Sequence, residues 1–201
     1  GTAFEARILD IRADRPGSCA ETDGCRYPVS DVAEAIRYAV DNGARVINLS
    51  LGSEPGPDQT IENAILAAAA RGVLIVVSAG NDAVPPTTDE DGNPVAAQGT
   101  TVNSPSRAAG HANALGRVVA VGAVIAADNL STPEIEEAGR IAGFSNRAGP
   151  DARNAYILAP GQGVVSTGPD DDVSFPGDPD NDPDDIGDYY RISGTSFAAP
   201  Y

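Results

Sequence analysis

Arg45-Val46-Ile47-Asn48-Leu49-Ser50 and Val73-Leu74-Ile75-Val76-Val77-Ser78 decide the fold. Each is a short aliphatic run bounded by turn residues, the pattern of a strand buried on both faces. Between them, a Gly/Pro turn from Gly52 to Asp58 precedes a helix expected over 59–71. Ile61, Ala64, Ile65, Ala68 and Ala69 share one face of it, and Gly72 ends it. Ahead of the first strand, Ser30 is expected to cap a helix over 31–42. Its Val32, Ala35, Ile36, Ala39 and Val40 recur at helical spacing, and Asp41-Asn42-Gly43 stops it. Buried strands alternating with helices predict two βαβ units, hence a parallel sheet with right-handed crossovers.

Outward from this centre, residues 6–12 alternate like a strand and Val118–Val124 reads as another buried one. Shorter strands are expected near 142–145, 155–158, 163–166 and 188–192. Beyond Asn81 a long polar stretch over 82–115 shows no helical periodicity, and a helix opens only at Thr195. All 201 residues are read as one domain, with an Asp-rich insertion over 169–188.

The 13 basic residues are all Arg, against 29 acidic ones, for a net charge of −16. Such a surface repels nucleic acid and anionic membranes. Nothing approaches the roughly 20 apolar residues of a membrane span, so this segment is not expected to insert. Cys19 and Cys25 close a short polar loop. They read as a disulfide in an oxidising compartment, or alternatively as two reduced thiols. With one His in the whole chain, at 111, they make a poor zinc site.

The chemistry concentrates in Ser193-Gly194-Thr195-Ser196-Phe197-Ala198-Ala199-Pro200. A strand passing through Gly into Thr-Ser at a helix start places the hydroxyl beside outward-pointing N–H groups. The octapeptide resembles the nucleophile motif of subtilisin-like serine peptidases, the subtilases. It departs from the Gly-x-Ser-x-Gly elbow of α/β-hydrolases, because Ala198 stands at the last position.

Resemblance to the subtilases implies an α/β fold, a three-layer parallel sheet of subtilase type. It implies a serine endopeptidase acting on polypeptides through an acyl-enzyme on Ser196, a chemistry that requires no cofactor. Val76-Val77-Ser78-Ala79-Gly80-Asn81 matches the strand whose Asn stabilises the oxyanion in that family, which gives Asn81 that role. Ser50, Leu51 and Gly52 match the edge along which bound peptide pairs, Ala79 and Gly80 a wall of the P1 pocket, and Thr195 joins the substrate-binding set. Phe144-Ser145-Asn146 and Ala159-Pro160-Gly161 are weaker echoes, expected to support the fold without chemistry.

The family's Asp-(Thr/Ser)-Gly and His-Gly-Thr-His motifs do not occur before the first strand, and Asp23-Gly24 is no substitute. His111 falls after Asn81, whereas the family's base precedes it, and with no Lys a Ser–Lys pair is excluded. The chain is therefore expected to be an incomplete catalytic domain, without its N-terminal part and its C-terminal helix, and inactive alone. An alternative is a non-catalytic relative that binds peptides or partners. Asp178, Asp180 and Asp182 could chelate a structural Ca²⁺, although Pro183 and Tyr189 break the EF-hand pattern. The other reading of that run is a solvated acidic loop. The cysteine pair, the acidity and family habit together place the protein outside the cell or on its surface.

Overall fold

The computed structural model describes residues 5–18, 25–52, 58–84, 87–88, 94–95, 97–99, 101–126, 138–167 and 189–201. In chain order come α1 (Val29–Asp41), β1 (Val46–Leu49), α2 (Gln59–Ala70) and β2 (Leu74–Ser78). A two-residue pair follows, β3 (Thr87–Thr88) and β4 (Pro94–Val95), then β5 (Val118–Ile125) and α3 (Gly149–Ala152). Last are β6 (Tyr156–Gln162), β7 (Val164–Thr167), β8 (Tyr189–Ile192) and α4 (Thr195–Ala198). β1, β2, β5 and β6 lie side by side in that order, all parallel, while β7 pairs antiparallel with β8.

The central strands β2 and β5 are covered on both faces, whereas β1, expected to be buried on both, buries only Ile47 and Leu49 and leaves Val46 and Asn48 exposed because it stands at the sheet edge. Ile47, Leu49, Ile75, Val77, Val118 and Ala120 pack in one cluster with α1 and α2. The alternate residues Val119, Val121 and Ala123 point the other way and meet Ala198 and Ala199 at α4. The three layers are thus present, the second helical layer being a single turn. α2 buries all five residues of its expected face. Asp58 caps it, its Oδ1 accepting from the N–H groups of Thr60 and Ile61 at 3.1 and 3.3 Å.

Several local expectations need correction. α1 opens at Val29 behind Pro28, and Ser30 lies inside the first turn with its Oγ donating to Asp31. Pro28, with its fixed φ, serves as the N-cap without a side-chain hydrogen bond. Ala33 is buried and Ala35, expected on the buried face, is only half-buried, because the two flank the Val32–Ile36–Val40 stripe on opposite sides and the core lies towards Ala33.

Residues 6–12 are not a strand. Ile8 is 91% exposed and only Ile11 packs against the core. Alternation says which face a strand would bury; it does not supply the neighbour whose N–H and C=O groups make a ladder. Residues 142–145 are not a strand either. Ala142 N–H donates to Ala123 O, and the chain then turns, with Ser145 N–H donating to Ala142 O. Within the polar stretch, residues 106–110 and 112–114 form two short 3₁₀-helices, too brief for a periodic signal.

Cys19, Asp23-Gly24 and the run over 169–188 with Asp178, Asp180 and Asp182 lie outside the described residues. Among the described residues no cysteine is free, no helix is long and apolar enough to cross a membrane, and no group of acidic, His or Cys side chains could hold a metal.

Candidate active site

Because β1 and β2 are parallel neighbours, their carboxyl ends leave the sheet together. Ser50, Leu51 and Gly52 extend from one, and Ala79, Gly80 and Asn81 from the other. Ser78 Oγ donates to Leu51 O at 3.3 Å and ties the two ends. Ala79 is fully buried, and its N–H donates to Val121 O, so this strand end is fixed to β5 as well.

The start of α4 is pinned onto these ends. Thr195 N–H and Thr195 Oγ1 both donate to Asn81 Oδ1, each at 2.9 Å. Gly80 N–H donates in turn to Thr195 Oγ1 at 3.2 Å. An N–H can only donate, so the Asn81 atom facing it is oxygen, and this settles the orientation of the amide. The Nδ2 donor therefore turns away from Thr195, and a Cβ placed on Gly194 would lie 3.5 Å from it.

Ser196, half-buried, exchanges hydrogen bonds with Ser50. Ser50 Oγ donates to Ser196 O at 2.7 Å and accepts from Asn48 Nδ2 at 3.0 Å. Ser196 Oγ donates to Ser50 O at 3.4 Å, a long and weak contact that leaves the hydroxyl easily diverted. Ser50, Asn81, Gly80, Thr195 and Ser196 are thus joined directly, and Leu51 through Ser78. Gly161 makes this possible: Gly194 N–H donates to its carbonyl at 2.7 Å. A Cβ there would sit 2.6 Å from Ala123 Cβ and 2.9 Å from Ala198 Cβ.

Gly52 and Gly80 both face Asn103, whose Nδ2 would lie 3.0 and 2.6 Å from a Cβ at either glycine. Asn103 Nδ2 donates to Asp82 Oδ2 at 3.4 Å, and its backbone N–H donates to Ala79 O. Gly80 also has φ +109°, a left-handed conformation that disfavours a side chain there on backbone grounds too. Asp82 receives a second amide from Asn146. Tyr156 OH donates to Asn146 O at 2.7 Å. Burial pushes the Tyr156 hydroxyl above the ordinary phenol range, against smaller opposing effects of Ser145 and Arg147, so it stays a proton donor at neutral pH.

Asp82, Asn103, Asn146 and Tyr156 were missed by sequence reasoning. Asn146 stood within a quoted segment, but as a fold echo without chemistry. His111, by contrast, is exposed and uses Nδ1 to accept from Asn113 N–H, capping the second 3₁₀-helix.

The model of a family described as the subtilase family matches residues 1–201. The chain is 33% identical over 202 residues to a thermophilic serine proteinase of Bacillus sp. (strain AK1), covering all of this chain and 35% of that protein. It is 32% identical over 177 residues to subtilisin BL of Lederbergia lenta, covering 88% of this chain and 45% of the relative. Among solved structures, Sphericase superposes with a TM-score of 0.55 at 26% identity, over 88% of this chain and 47% of its own. The chain thus spans less than half the length of these relatives.

Proposed function

Because the chain belongs to the subtilase family, we propose that the whole protein is a serine endopeptidase that hydrolyses peptide bonds through an acyl-enzyme on Ser196. The observation that carries this reading is the double acceptance at Asn81 Oδ1, which turns Nδ2 outward on the side of Gly194. In the proposed reaction Ser196 Oγ attacks the scissile carbonyl and gives its proton to a general base. The oxyanion forms between Asn81 Nδ2 and the Ser196 N–H, donors already oriented before charge develops. The C–N bond then breaks, the amine leaves with the proton, and water hydrolyses the ester to free Ser196. The relatives extend well past the matched stretch, and the base and its orienting carboxylate are proposed to lie there, in the Asp-then-His order of subtilisin.

Substrate would pair with Ser50, Leu51 and Gly52 as an added strand, taking up backbone groups at the end of β1. Ala79 and Gly80 would wall the P1 pocket. Asn103, whose amide faces both Gly52 and Gly80, would lie beside that pocket. An exported protein with Cys19 bonded to Cys25 completes the reading, supported by the absence of a free cysteine among the described residues. For Asp178, Asp180 and Asp182 the two readings, a structural Ca²⁺ site and a solvated acidic loop, both stand, and no chemical step is routed through them.

A fluorophosphonate probe on the full-length protein tests the proposal. Covalent labelling that disappears in Ser196→Ala is the expected result. A folded sample that takes no label, or labelling that survives the substitution, overturns it and favours a peptide-binding relative without turnover.

A further inference from the structure

Asn81 is gripped through its side chain by a helix of one turn, which by itself is a weak anchor. Its two neighbours are held differently. Asn146 N–H donates to Gly80 O at 3.0 Å. Asp82 N–H donates to Asn146 Oδ1 at 2.9 Å, and Asn146 Nδ2 donates to Asp82 Oδ2 at 3.2 Å. Three hydrogen bonds from one residue therefore straddle Asn81, one before it and two after.

Asn146 is only 2% exposed, and its carbonyl is itself tied down. Tyr156 OH donates to it at 2.7 Å and Ser145 Oγ at 3.2 Å. Ser145 Oγ accepts from Ala123 N–H of β5 at 2.9 Å, and Tyr156 opens β6. The tyrosine ring crosses β5 at Gly122, where a Cβ would lie only 1.8 Å from the phenol oxygen. Asn146 thereby links the segment carrying Asn81 to two strands of the parallel sheet.

We propose that Asn146 is a positioning residue for the oxyanion-binding amide, clamping Gly80–Asn81–Asp82 to β5 and β6 through its three bonds to Gly80 and Asp82. This rests on the role proposed above for Asn81. Asn146 touches no reacting atom in this scheme; it acts by keeping Asn81 Nδ2 where negative charge will form. A donor displaced by about 1 Å can lose on the order of 100-fold in rate, so a clamp of this kind is a first-order determinant of turnover.

The test is a double-mutant cycle on the full-length protein, with kcat, KM and the thermal midpoint measured for Asn81→Ala, Asn146→Ala and the pair. Asn146→Ala is expected to lower kcat by about 10- to 100-fold with KM changed by less than about 2-fold, the mark of an interaction expressed in the transition state. In the Asn81→Ala background the same change is expected to lower kcat by less than about 3-fold, since coupled residues are not additive. Losses that simply multiply, or a kcat unchanged by Asn146→Ala, overturn the proposal. Should Asn146→Ala not fold, Tyr156→Phe loosens the same clamp with little change of shape. Its expected loss, about 3- to 10-fold in kcat, must also vanish once Asn81 is Ala; a kcat equal to wild type overturns the proposal. If Asn81→Ala alone leaves kcat unchanged, the oxyanion role of Asn81 fails, an outcome told apart from failure of the clamp.

Discussion

Under α1 and α2, the sheet is held by Ile36, Ile65, Ile75, Val77 and Val118, all fully buried or nearly so. At the ends of β1 and β2, contact is made instead by Thr195, Asn81, Ser50, Ser196, Asn146 and Asp82, each through named atoms. The first region is secured by area removed from water, roughly 1.5–3 kcal/mol for each large side chain and indifferent to direction. The second is secured by hydrogen bonds worth about 1 kcal/mol net apiece, whose directions matter more than their sum. Stability and chemical geometry are thus assigned to different parts of one sheet. A change under the helices lowers the amount of folded protein, whereas a change at the strand ends alters what the folded protein can do.

The contrast breaks most visibly at Ile65, which has no exposed surface. Ile65→Ala is expected to remove about 2–5 kcal/mol of stability, measured by urea unfolding. Turnover per folded molecule should stay at the wild-type value. Gly122→Ala is expected to cross the divide. Its Cβ would drive into the Tyr156 hydroxyl, an overpacking worth about 1–3 kcal/mol, and kcat should fall as well because Tyr156 holds Asn146. A loss of stability with kcat intact would show the two regions to be more independent than the contacts imply. Asp58→Ala gives the smallest effect. Removing the cap of α2 should lower stability by about 1 kcal/mol in the same assay and leave kinetics untouched.

The same division explains what could be read from the residues alone. α2 buries the five side chains its periodicity nominated, because burial on a helix repeats every 3.6 residues and leaves a local signature. β2 and β5 were legible for the related reason that a doubly covered strand has few polar positions to interrupt it, whereas β1 exposes Val46 and Asn48 and was read from its apolar run alone. Residues 6–12 carried a strand pattern and form none, since pairing depends on a neighbour the local pattern does not specify. Ser196 and Asn81 were found through a motif. Asn146 and Asp82 lie 64 positions apart, and a polar pair formed across that distance has no period. Backbone bonds from Asn146 to Gly80 and from Ala83 to Phe144, with Tyr156 packed over Gly122, bring them together.

The exchange between Ser50 and Ser196 spans 146 positions, and that between Asn81 and Thr195 spans 114. Synthesis proceeds from the N-terminus, so a growing chain carries Ser50 and Asn81 for the time needed to add more than a hundred further residues before their partners exist. Ser196 and the strand ends that cradle it therefore meet only once the long stretch between them has been made. Until then the ends of β1 and β2 lack the contacts with Ser196 and Thr195 that orient them, so the site is completed in one step rather than strand by strand.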